Sequence, residues 1–144
     1  MMLVYAKSIL TPALALILWS LVMWLWLYAT RIPAIRAAGI DPATAKEPES
    51  LNALPLKVRQ VAYNYNHLME QPTLFYALVF YTALAHRWQS DIPLGLAWAY
   101  VVLRVAHSLV QATVNVIIVR FALHVAGTLA LIGLAAWNVW KMLG

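Results

Sequence analysis

Apolar side chains fill four long blocks of this chain, and polar ones enter them at helical spacing. The first block runs from about residue 3 to 30, with Trp19, Trp24, Trp26 and Tyr28 crowding its second half. The second, about 56–85, is polar in its first half; the third covers about 92–112 and the fourth about 117–142. A membrane-crossing helix needs about 20 mostly apolar residues, so each block predicts one span. No Gly or Pro breaks the stretch from Gln111 to His124, and the turn between the last two spans is placed at Ala112–Val116, beside a mostly β-branched run. The connection at about 31–55 carries Pro33, Gly39, Pro42, Pro48 and Pro55 and reads as a loop. Within it, Asp41-Pro42 is a start signal for a short helix. The connection from His86 to Asp91 is short; Ser90 or Asp91 is placed to cap the third helix, with Pro93 in its first turn. The expected fold class is all-α: one integral membrane four-helix bundle subunit, without internal repeats.

Composition sharpens this. Of the 144 residues, 64% are hydrophobic and 10% charged, against roughly 45–50% and 25% in soluble domains. With no Cys, the chain supplies no disulfide, thiolate ligand or thiol nucleophile. A net charge of +5 spread along the flanks of apolar segments argues for membrane topology and against nucleic-acid binding. The apolar run from Ile9 to Tyr28 exceeds a signal-peptide core of roughly 7–15 residues and lacks a following cleavage pattern, so it reads as a retained span. Arg31, Arg36, Lys46, Lys57 and Arg59 cluster at the first connection and Arg120 lies near the third, whereas Lys7, Arg87 and Lys141 lie opposite. The positive-inside rule then puts the first and third connections in the cytoplasm and both termini outside.

The polar residues share faces. Tyr63, Asn66, His67 and Glu70 form a stripe on the second helix, with Arg59 on the same face. Arg104, His107, Ser108 and Gln111 repeat the pattern on the third, with Tyr100 one turn earlier; Arg120 and His124 open the fourth. Glu70 reads as an intramembrane carboxylate costing on the order of 2.5–3.5 kcal/mol on insertion scales, so a cationic partner is expected, with Arg104, His107, Arg120 and His124 as candidates. Polar groups also glue membrane helices together, at about 0.6 kcal/mol each. Cations nevertheless outnumber the single acid, which points to a site for an anionic ligand. Pro72, two residues beyond Glu70, removes a hydrogen bond to the Leu68 carbonyl and is expected either to be tolerated or to kink the helix.

Other features carry simpler readings. The tryptophans fit an interfacial aromatic belt, Ala122, Ala126 and Ala130 fit close helix packing, and His86 fits a solvated loop. No metal site is expected, because no helix carries two His at i, i+4 or a second nearby carboxylate.

The string Asn66-His67-Leu68-Met69-Glu70-Gln71-Pro72-Thr73-Leu74-Phe75, followed by Arg104-Val105-Ala106-His107 and by Arg120, resembles the signature of the MAPEG family, the membrane-associated proteins of eicosanoid and glutathione metabolism. The resemblance covers essentially the whole chain and looks like a divergent, bacterial-type member, which implies a bacterial inner membrane. It implies a homotrimer that binds glutathione between subunits near the cytoplasmic side. It further implies that Arg120 stabilises the thiolate as the catalytic residue. Asn66, Glu70, Arg104 and His107 match polar pocket positions, with Arg31 or Arg36 placed to meet a glutathione carboxylate. Arg59, Tyr63, Gln111 and His124 complete the expected ligand-binding set. A cation beside a thiol lowers its pKa and raises the thiolate fraction.

This chain also departs from the family pattern. Tyr63, Asn64 and Tyr65 stand where glutathione-binding members carry arginines, and Gln111 and His124 stand where tyrosines are expected. Asn66 is four residues before Glu70 where the eicosanoid enzymes have three, and Pro72 is one residue closer to the Glu. Two functions therefore stay open: a glutathione-dependent transferase or peroxidase-like enzyme acting on a hydrophobic electrophile, and a non-catalytic protein binding a lipid or amphiphilic anion. A proton-coupled channel built on Glu70, His67 and His107 is a third, disfavoured by the absence of broken inverted repeats.

Overall fold

The computed structural model describes residues 2–41, 43, 48–85 and 91–144. Expectations placed on Pro42, Lys46, His86, Arg87, Trp88 and Ser90 lie outside the described residues. Among the described residues five α-helices follow one another: α1 (Met2–Ala37), α2 (Leu56–Leu68), α3 (Pro72–Ala85), α4 (Asp91–Ala112) and α5 (Ile117–Leu143). A 3-10 helix, Pro48–Ala53, precedes α2. Ile9–Ala37, Asp91–Ala112 and Ile117–Leu143 are each long and apolar enough to cross a membrane.

The first helix runs two turns further than the sequence suggested. Residues 31–37 continue the helix through Pro33, and Gly39 at φ +64° closes it. Ile40 N–H donates to the Ile35 carbonyl and Gly39 N–H to that of Arg36, the paired bonds of a Schellman cap. The loop therefore begins at about residue 38, and Arg31 is helical. Trp19, Trp24 and Trp26 consequently lie within α1, ahead of its last turns.

The second block is two helices instead of one. Helix α2 ends at Leu68, residues 69–71 form a turn, and Pro72 opens α3. Pro72 has no N–H to give the Leu68 carbonyl, and its ring crowds that carbonyl. The turn is closed locally: Met69 N–H donates to the Asn66 carbonyl, and both the N–H and the hydroxyl of Thr73 donate to that of Glu70.

Helix α1 packs on α2, α3 and α4, while α4 and α5 share the most extensive contact. On α1 the buried positions Ile9, Leu16, Met23 and Leu27 recur at helical spacing, and Leu14, Leu18, Leu21 and Leu25 face outward. Such an apolar outer surface suits lipid, and the core between the helices is closed by Phe75, Val79, Tyr100 and Leu134. Gly133 lets α5 approach α4, since a Cβ there would meet Leu96 Cδ2 at 3.3 Å, whereas one on Gly127 would meet Leu103 Cβ at an ordinary 3.8 Å.

A polar layer crosses this core. Asn64 Nδ2 donates to Ser108 Oγ at 2.6 Å, both residues 0% exposed. Thr82 and Asn138 form a second buried pair, between α3 and α5, at 3.0–3.1 Å. These hydrogen bonds fix α2 against α4 and α3 against α5 in a setting where apolar contact alone gives little discrimination between helix faces.

Candidate functional site

The polar stripes expected from sequence meet, but not with the expected partners. Arg104 is 2% exposed. Its Nε donates to Tyr100 Oη at 3.1 Å, and its Nη1 lies 3.3 Å from His124 Nδ1. Glu70 instead contacts His67: Oε2 lies 3.1 Å from Nδ1, and the Glu70 side chain is 68% exposed. The expected Glu70–Arg104 pair is therefore not formed. The cause is the break before Pro72. Helical periodicity stops at Leu68, so Glu70 leaves the stripe that its spacing predicted and reaches only back to His67.

The break also turns Gln71 towards α4 and α5. Gln71 Nε2 donates to Thr128 Oγ1 at 2.9 Å, and Tyr100 Oη lies 3.5 Å from Gln71 Oε1. Phe75 stacks on the Tyr100 ring at 4.5 Å between centroids, which fixes that hydroxyl. A continuous polar chain thus runs Gln71–Tyr100–Arg104–His124–His67–Glu70.

Two grooves open along α2, and the second adjoins this chain at His67 and His124. The first, about 250 Å³, is lined by Arg31, Arg59, Tyr63 and Asn66 together with Leu51, Asn52 and Ala62. The second, about 380 Å³, is lined by His67, His107, Ile117, Arg120, Phe121 and His124. The stripe of α2 is therefore divided: Tyr63 and Asn66 face one groove and His67 the other. Arg36 is exposed at the end of α1 and lines neither, and Gln111 is buried outside both.

Arg120 is held by a residue that sequence reasoning passed over. Its Nη1 donates to Asn115 Oδ1 at 2.6 Å. Asn115 sits at φ 53°, the left-handed region that Asn tolerates better than β-branched residues do. Its N–H donates to the Val110 carbonyl at 2.7 Å, ending α4. The readable signal is an Asn between Val114 and Val116, the one residue of that run suited to positive φ.

Three arginines keep unused capacity. Among the described residues, Arg59 Nε, Arg104 Nη2 and Arg120 Nε are buried without a hydrogen-bond partner. Buried donors without acceptors are costly, and guanidinium groups match carboxylates in fork geometry. The amide oxygens of Gln60, Asn64 and Gln111 are likewise unpartnered. His67, His107 and His124, from α2, α4 and α5, converge so that one nitrogen from each lies within 4.8 Å of the others. No single helix carries two of these histidines, and the cluster assembles across three.

Comparison with known families gives one result that covers nearly the whole chain. The model of the MAPEG family matches residues 9–140. No curated protein and no solved structure matches the chain.

Proposed function

The chain belongs to the MAPEG family, and from that premise we propose that it is a membrane-embedded, glutathione-dependent transferase-like enzyme that assembles as a homotrimer. The observation that carries the reading is Arg120. It lines the histidine groove beside apolar Ile117 and Phe121, is oriented by Asn115, and keeps a buried Nε–H without a partner. An oriented guanidinium in a low-dielectric groove stabilises a thiolate more than it would in water. Arg31 and Arg59, with Tyr63 and Asn66 in the neighbouring groove, supply hydrogen bonds for the peptide carboxylates.

In this reading the thiol gives up its proton and the sulfur attacks an electrophilic carbon of a hydrophobic substrate arriving from the lipid. A carbon–sulfur bond forms while a leaving group departs with its electron pair, or an activated double bond takes up the charge and then a proton. The first and third connections face the cytoplasm, from which glutathione enters.

A second reading, a non-catalytic binder of an amphiphilic anion, is favoured by one observation. The groove at Arg31 and Arg59 carries Tyr63 where a further arginine would grip a peptide with two carboxylates. Calorimetry of glutathione with detergent-solubilised protein and Arg120→Ala, with thiolate absorbance on the same samples, separates the two. Binding with an Arg120-dependent thiolate signal supports the enzyme. No binding at millimolar glutathione rejects it and leaves the anion binder.

A further inference from the structure

We propose that His67, His107 and His124 form a binding site for one divalent transition-metal ion of the zinc class, with its fourth position open to the groove at Arg120 and Phe121. The three rings are brought together by three separate helices. Ring centroids lie 5.0 Å apart for His67–His107, 5.2 Å for His67–His124 and 6.0 Å for His107–His124. Three imidazoles with an open fourth position are the donor set of catalytic zinc sites.

The hydrogen bonding around the rings carries the argument further. Arg104 is a donor only, so His124 Nδ1, 3.3 Å from its Nη1, presents a lone pair. The Glu70 carboxylate is an acceptor only, so it selects the tautomer of His67 with its proton on Nδ1. The Nε2 lone pair of neutral His67 then faces the Nδ1 lone pair of His124 across 3.3 Å. With Arg104 as the donor to His124 Nδ1, the His67 Nε2 lone pair is left without a donor, and a proton or a metal ion between the two ring nitrogens would supply the missing positive partner. The His67–His124 spacing suits the metal, since two nitrogens at 2.0–2.1 Å from a tetrahedral zinc lie about 3.3–3.4 Å apart; the set including His107 spans up to 4.8 Å and closes on the ion by ring rotation. The carboxylate behind His67 is the outer partner that commonly orients a metal-bound imidazole.

The guanidinium groups of Arg104 and Arg120 oppose a bare dication here. They favour an anionic fourth ligand, a hydroxide or a thiolate, whose charge offsets theirs. Binding of the ion to His124 Nδ1 releases the Arg104 donor, which then has that anion to meet. The ion itself does not depend on the proposed thiol chemistry; a thiolate as its fourth ligand does rest on it.

The test is a Co2+ titration of chelator-treated protein purified without a polyhistidine tag. The expected result is the visible spectrum of tetrahedral Co2+ at one ion per chain, bleached by Zn2+. Affinity should fall at least tenfold in His107→Ala and His124→Ala, and about 10–100-fold in Glu70→Gln. As a check that does not depend on the variants folding equally well, Zn2+ should raise the Tm of the wild type and leave that of His124→Ala unchanged. No tetrahedral spectrum and no Zn2+-dependent Tm would mean that a proton fills the gap, and would overturn the proposal. A spectrum that survives the histidine substitutions would overturn it as well. Adding glutathione separates the two readings. A thiolate-to-Co2+ charge-transfer band supports both. A Co2+ site with no glutathione binding supports the ion and removes the thiol chemistry. Glutathione binding without any Co2+ site removes the ion and keeps the thiol chemistry.

Discussion

Asn115 offers the sharpest test of how Arg120 is positioned, because two of its contributions separate by substitution. Its amide oxygen accepts from Arg120 Nη1 at 2.6 Å, and its backbone holds φ 53°. Asn115→Gly removes the first and keeps the second. A hydrogen bond to a charged group contributes about 1.5–3 kcal/mol, and Arg120 is only half-buried, so a loss near 1.5 kcal/mol is expected. Asn115→Ala removes both. A left-handed Ala costs about 1–2 kcal/mol, offset by about 0.4–1 kcal/mol of unfolded-state entropy relative to Gly. The Ala variant should therefore be about 0.5–1 kcal/mol less stable than the Gly variant. The ligand readout should not follow stability: both substitutions free Arg120 equally, so both should weaken glutathione binding and the thiolate signal by the same factor. Asn115→Asp keeps an acceptor and a residue tolerant of this φ. It should hold near wild-type stability while its carboxylate competes with the ligand for Arg120. Reversible unfolding in mixed micelles and calorimetry measure the two quantities. Equal stability of the Gly and Ala variants would refute the backbone argument, and wild-type glutathione affinity in Asn115→Asp would refute the role given to Arg120.

Three further outcomes follow from the packing. Ser108→Ala strands Asn64 Nδ2 in a fully buried place and should cost about 1–3 kcal/mol, whereas Asn64→Leu with Ser108→Ala should cost less than the sum in a double-mutant cycle. Glu70→Gln should cost under about 1 kcal/mol in unfolding experiments, because its partner is an exposed contact with His67 and not buried Arg104; a loss of several kcal/mol would restore the Arg104 pairing. Gly127→Ala should be neutral or stabilising by up to about 1 kcal/mol from helix propensity, since the added methyl meets only ordinary contacts at 3.8–4.0 Å. A strong loss in thermal unfolding would show that α4 and α5 lie closer than described.

The sequence alone determined a great deal of the helical layout. Long apolar blocks leave a chain in lipid little choice but helix, because every backbone polar group must be satisfied within the segment. The polar stripes were legible for the same reason: helical spacing puts Arg104 and His107 on one face whatever surrounds them. Where the reading went astray, a local device had overridden periodicity. Gly39 carried α1 past residue 30 by capping it late, and Pro72 cut the second block and turned Glu70 out of its stripe. Asn115 as the support of Arg120 left only its tolerance of positive φ to be read. The partners were decided by tertiary structure alone. Arg104 meets His124, and His67, His107 and His124 converge, because three helices pack at particular rotations and heights. Periodicity fixes the face of one helix but not its register against the next, and contacts between residues 20 to 57 positions apart depend on that register.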